Sequence, residues 1–173
     1  MEQEQNIEKM VEKYSNSLLL FINSIIHNIH ISEDLMEDSF VQIILKKKIF
    51  KDETNFKAYL FKIGRNKAFN YLKRKSLLKI EVLEEYDDKI FDEKSLIEEI
   101  LLKEEQKKYI KNAMQKLNRE YREVLHLIYF EDMSYDMAGI VMKKSKKQID
   151  NLTYRAKKQL KLIMEKEKFY DEK

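Results

Sequence analysis

SYDMAGIVMKKSKKQIDNLTYRAKK, Ser134 to Lys158, holds two helical patterns separated by a break of only two residues. Ser134 is placed to cap a short helix containing Ala138, Gly139, Val141 and Met142. Lys143 and Lys144 make a brief turn, and Ser145 opens Ser-Lys-Lys-Gln, which has capping-box spacing to Gln148. In the helix that follows, Ile149, Leu152, Ala156, Leu160 and Ile163 recur on one face. Lys146, Lys147, Asp150, Asn151, Tyr154, Arg155 and Lys158 are left largely on the others. The pattern is helix, short turn, helix. A basic helix with amide side chains near its start has the chemistry for a major groove: Lys and Arg neutralise phosphates, while Asn and Gln offer paired donor and acceptor groups to adenine. By periodicity alone, a plain solvent-facing hairpin reads the same way.

Upstream, the helical period continues. Asn118 can cap a helix in which Tyr121, Val124, Leu125 and Ile128 share a face, and Ile97, Ile100, Leu101, Tyr109, Ile110, Ala113, Met114 and Leu117 form another before it. At the amino end, Ile7, Met10, Val11, Tyr14, Leu18, Phe21, Ile22, Ile25 and Ile29 make one apolar stripe. Ser32 is expected to cap a second helix with Leu35, Met36, Phe40, Ile43 and Ile44 inward and Asp34, Glu37 and Asp38 on an outward acidic face. A third helix, about Asn55 to Leu78, buries Phe56, Leu60, Ile63, Gly64, Ala68, Tyr71 and Leu72. Glycine inside a helix costs up to about 1 kcal/mol relative to alanine, so Gly64 predicts the close approach of a neighbouring helix.

Composition agrees with an all-α fold. The 173 residues include no proline, no cysteine and two glycines, an inventory with almost no turn or sheet punctuation. The missing cysteines exclude disulfides, thiol catalysis and cysteine zinc sites. The acidic start MEQEQNIEK predicts no secretory signal, and the longest apolar run, Leu18 to Ile22, falls far short of the roughly 20 residues that span a bilayer. His27 and His30 lie three apart, but His126 is remote and no thiol completes a soft site. No Gly-rich phosphate loop or nucleophile with a partner is found. Neither a catalytic site, nor a bound metal, nor a cofactor is expected.

Net charge is only +3, but it falls in blocks. Every charged residue from Lys57 to Lys79 is positive. From Glu81 to Glu105 acids far outnumber bases. Between Lys143 and Lys161 Asp150 is the only acid. Two basic surfaces joined by an acidic connector follow from that alternation.

Two segments resemble the small, extracytoplasmic-function sigma factors of the sigma-70 family. SEDLMEDSF (Ser32 to Phe40) with FKAYLFKIGRNKAFNYLKRK (Phe56 to Lys75) is similar to the family's polymerase-binding helix and the −10-reading, promoter-melting helix after it. LNREYREVLHLIYFEDMSYDMAGIVMKKSKKQIDNLTYRAKK (Leu117 to Lys158) is similar to its −35-reading domain. The resemblance implies that Asp34, Leu35, Glu37, Asp38 and Phe40 dock on the β′ clamp helices of core RNA polymerase, with a further contact between the chain and the β flap. It places Tyr59, Phe61, Arg65, Asn66 and Asn70 at the −10 strand, with Lys73, Arg74 and Lys75 on backbone phosphate. It assigns Ser145, Lys146, Lys147, Gln148, Asn151 and Arg155 to the −35 helix. The pattern is broken at Tyr59, where tryptophan is more usual, at Asn118 for proline, at Met137 for glutamate, and at Asp150 for a basic residue.

The organisation expected is therefore two small helical domains, residues 1–79 and 105–173, joined by an acidic linker over 80–104. The function expected is sigma-directed promoter recognition in the cytoplasm, with core polymerase and promoter DNA as partners and an anti-sigma factor as a further one. One rival is a helix-turn-helix repressor or activator that binds DNA without polymerase. Another is a helical adaptor with no DNA contact.

Overall fold

The structure is a computed structural model that describes residues 2–47, 49–78 and 104–171. Seven α-helices account for most of them: α1 (Glu2–Ile26), α2 (Ile29–Leu45), α3 (Glu53–Leu77), α4 (Glu104–Gln115), α5 (Arg119–Leu125), α6 (Tyr135–Met142) and α7 (Lys146–Asp171). Between α5 and α6, His126–Phe130 widens into a π-turn. Ile97, Ile100, Leu101, Lys79 and nearly all of the expected acidic linker lie outside the described residues.

Local chemistry sets the helix ends. After Ile26 the chain turns through His27, whose φ of 56° is left-handed, and Asn28 caps α2 by accepting from the Ile31 N–H at 3.1 Å. The cap thus falls four residues before Ser32. Ser32 is instead fully buried inside α2, its hydroxyl donating to the Asn28 carbonyl at 2.7 Å. Asparagine at the α1–α2 corner competes for the same role and wins because the reversal comes there. Likewise Asp52, accepting from the Asn55 N–H at 2.8 Å, starts α3 before the expected Asn55. Asn118 and Ser134 cap α5 and α6 as their sequence positions predict.

Helices α1, α2 and α3 close a core around Leu18, Phe21, Ile22, Leu60 and Phe61. Gly64 sits where α1 crosses α3: a Cβ there would lie 2.8 Å from Leu18 Cδ1 and 3.2 Å from Ile22 Cδ1, as the glycine cost implied. The later helices gather Val124, Leu127, Val141, Ile149 and Ala156. Helix α3 also packs on α6 and α1 on α5, so the buried side chains of both halves form one cluster.

At the α6–α7 break, Lys143 takes φ 55° and the Lys144 N–H returns to the Gly139 carbonyl at 2.9 Å. That return brings the Lys144 carbonyl within 2.5 Å of where a Gly139 Cβ would stand. Backbone cannot swing aside as a leucine methyl can. Gly139→Ala is therefore expected to lose about 1–3 kcal/mol, whereas Gly64→Ala, meeting side-chain ends and gaining helix propensity, should lose less. Chemical denaturation of both variants checks the order; equal losses would refute it.

Candidate polymerase and promoter interfaces

On α2, Asp34, Glu37 and Asp38 are exposed, Leu35 is half-buried and Phe40 is buried. Phe40 therefore holds the acidic face from beneath rather than forming part of it. Ile44, expected inward, is 42 % exposed, and with Val41 and Leu45 it continues the acidic face as an apolar strip. The spacing 34, 37/38, 41, 44/45 could have shown this: those positions recur every three or four residues and share one side of the helix.

The residues expected at the −10 strand divide. Asn70, Lys73 and Arg74 are exposed, and Asn66 and Lys75 half-buried. Tyr59 is held by its neighbours, its hydroxyl 3.2 Å from Lys46 Nζ and its ring 5.4 Å from that of Phe50. Phe61 does not fit its expected role: it is fully buried, 5.3 Å from the Phe21 ring, and offers no face to a base. Arg65 donates from Nε to Glu123 Oε2 at 2.7 Å and lies over Phe69, whose ring also meets the Arg119 guanidinium. Phe69, one turn after Arg65, was not singled out by sequence.

All six residues expected to read the −35 element are exposed on α7 or at its start. The capping box forms as predicted. The Ser145 N–H donates to Gln148 Oε1 at 2.8 Å, and the Gln148 N–H donates to Ser145 Oγ at 3.2 Å. One consequence bears on Gln148: its carbonyl oxygen already accepts from Ser145, so pairing with adenine would have to share that oxygen with the box or give the box up. Asn151 carries no such duty.

Three groups of the second half that sequence reasoning passed over lie against the first. Glu123 and Glu131 are buried acids. Glu131 pairs with Lys57 at 3.2 Å and with His126 at 3.3 Å, while Arg122 donates to the Ser24 carbonyl at 3.0 Å and lies 2.8 Å from His27 Nε2. Burial pushes the Glu123 carboxyl up, more than Arg65 draws it down. Burial acts on Glu131 in the same sense, but the hydrogen bond and charge of His126, with Lys57, bring its carboxyl below the ordinary 4.5. Desolvation lowers the Arg122 guanidinium. Among the described residues there is no cluster of potential metal ligands and no helix long and apolar enough to cross a membrane.

An acidic-apolar face on one helix and basic faces on two others, one in a helix-turn-helix, are thus exposed. Comparison gives the family. Residues 10–77 match Sigma-70 region 2 and residues 107–160 match Sigma-70, region 4. The chain belongs to the sigma-70 family, as a factor of the extracytoplasmic-function type that directs promoter-specific transcription initiation. It is 24 % identical over 157 residues to the ECF RNA polymerase sigma factor SigM of Bacillus subtilis, covering 91 % of this chain and 94 % of that one. Its fold is similar to that of the sigma factor RpoE, solved with the anti-sigma factor NepR from Bartonella quintana, at a TM-score of 0.68 and 23 % identity, over 93 % of this chain and 98 % of that one. It is also similar to CnrH, solved with the cytosolic domain of CnrY, at 0.64 and 20 %, over 94 % and 89 %.

Because the folded value of Glu131 lies below 4.5, its contribution to stability is present above that pH and lost as pH falls below it. Glu123, shifted upward, has the opposite sign: protonation relieves its burial. Glu131→Gln should therefore lose less thermal stability than the parent chain between neutral pH and about pH 3.5. An unchanged acid limb in melting curves would remove Glu131 from that role.

Proposed function

We propose that residues 1–79 bind core RNA polymerase and hold the −10 element, that residues 105–173 bind the duplex −35 element, and that 80–104 connects them. The observation carrying this reading is the exposure of Asp34, Glu37 and Asp38 on α2 together with the basic outer faces of α3 and α7. The acidic face, with Val41, Ile44 and Leu45 beside it, suits the basic β′ clamp helices: charge steers the encounter and apolar contact then buries. Asn66, Asn70, Lys73, Arg74 and Lys75 hold the −10 region, Tyr59 at one end of the row. Lys146, Lys147, Asn151 and Arg155 face the −35 groove, with Ser145 and Gln148 fixing the helix start. In this reading the chain is a cytoplasmic polymerase subunit, not an enzyme. The solved pairs of RpoE with NepR and CnrH with CnrY support an anti-sigma factor as a further partner.

In vitro transcription with purified core polymerase on a promoter library tests the whole reading. Reversing Asp34 and Asp38 to lysine should abolish pull-down of core enzyme with helical content unchanged, and undiminished capture would sink the docking face. Asn151→Ala should cost about 1–3 kcal/mol on the preferred −35 sequence and relax selectivity at one base pair. Arg155→Ala should instead weaken all −35 variants alike, because a phosphate contact positions without specifying. A base preference unmoved by Asn151→Ala would transfer the readout to Lys146 or Lys147. Neutralising Lys73, Arg74 and Lys75 should flatten the salt dependence of open-complex formation by about one unit of slope per lost contact. Loss on some promoters only would contradict a backbone role.

A further inference from the structure

Asp150 is the one acid between Lys143 and Lys161, and it lies in the second turn of α7 with its side chain exposed. On a helix it shares a side with Lys146 and Lys147, four and three residues before it, and with Tyr154, four after. Either lysine is within reach by spacing, yet Asp150 makes no ion pair among the described residues. Lys146 turns instead across the α6–α7 break to Asp136 at 3.2 Å. Lys157, two turns further on, lies over the Tyr129 ring at 5.4 Å, and Asp150 is the weakest of the groups that raise its ammonium, the hydrogen bond and charge of Tyr129 being the strongest. Two other acids beside the turn are paired, Asp136 by Lys146 and Glu120 by Lys144 at 2.8 Å. Asp150 is left as a bare carboxylate among the cations of the helix proposed to enter the −35 groove.

An ionised carboxylate accepts hydrogen bonds and cannot donate them. In a major groove it is repelled by phosphate, by N7 and O6 of guanine and by O4 of thymine, and adenine sets N7 beside its amine. Cytosine alone presents an amine, on N4, with no acceptor next to it. Residues in the early turns of a recognition helix are the ones that reach base edges. We infer that Asp150 reads a cytosine in the −35 element by accepting from its N4 amine, and that it excludes guanine and thymine from the same place by repulsion. The inference rests on the proposed −35 role of α7 and names a base within it. Asn151, the next residue, is turned from Asp150 by about 100° around the helix, so the two side chains address different base pairs. Asn151 has the chemistry for adenine, and Asp150 that for cytosine. A repulsive group sharpens selectivity by weakening the wrong sequences, beyond what it adds to the right one.

The test uses the full chain with purified core polymerase and a promoter library in which each −35 base pair is varied through all four bases. The parent chain should select cytosine, on one strand, at a position that depends on Asp150. Asp150→Ala should reduce that preference by at least about fivefold and leave the other positions as they were. Asp150→Asn keeps the shape and adds a donor, so it should move the same position towards adenine. Because the side chain is exposed, neither change threatens the fold. An Asp150→Ala chain that transcribes better from every −35 variant alike would reduce Asp150 to a charge that repels phosphate, and would overturn the inference. Base preference unmoved at all positions in both variants would overturn it too, while leaving the −35 role of α7 standing. A parent chain indifferent to every −35 substitution would instead defeat that role, and the reading of cytosine with it.

Discussion

Placing a carboxylate inside a protein removes water that it does not readily give up, and only a well-aimed cation makes the placement tolerable. Glu131 meets that condition through Lys57 and His126, whereas Arg65 binds one oxygen of Glu123 and offsets its burial only in part. Removing one partner of a buried pair leaves the other stranded, at about 3–5 kcal/mol, so these pairs fix which surfaces of the two halves meet. The apolar cluster runs continuously from α1 to α7 beside those pairs. Helix α3 bears the most from it: one side packs with Leu18 and Ile22 across Gly64, another meets α6, and its carboxyl-terminal end remains in water with Lys73 and Arg74.

Much of this was readable from residue order. The apolar periods of α1, α3 and α7, the tight α6–α7 turn, the Ser145–Gln148 box and the close contact at Gly64 all follow from local rules, because each depends on residues within a few turns or on glycine's missing side chain. The acidic face of α2 was legible for the same reason. Where two local signals competed, as with Asn28 and Ser32, sequence could not rank them, since the choice was made by the angle at which α1 meets α2.

Other features belong to distant pairings. REYREVL, within which Glu123 lies, reads as an ordinary charged helix, and nothing near it announces a guanidinium 58 positions away. Phe61 resembles a base-stacking aromatic by its place in the motif, yet at full burial it supports α1 through Phe21. Ile44 failed in the opposite direction: an apolar side chain was assigned to the core when the helix turned it outward beside the acids. An apolar residue on a docking helix carries the same letter whether it faces its own core or a partner.

The π-turn at His126–Phe130 holds one more residue than a regular turn, closed by the Glu131 N–H on the His126 carbonyl at 3.1 Å. A π-turn places residues five apart above one another, and His126 and Glu131 are five apart. The wider turn thus acts as a phase shifter between the two ends of the segment. Glu123 and Glu131, eight positions apart with this turn between them, both pair with cations of α3. Tightening the turn by a single deletion would rotate one acid relative to the other while leaving the composition of the surface almost the same. Chain length within one turn, rather than the identity of any side chain, then decides whether both halves of α3's pairing are made at once.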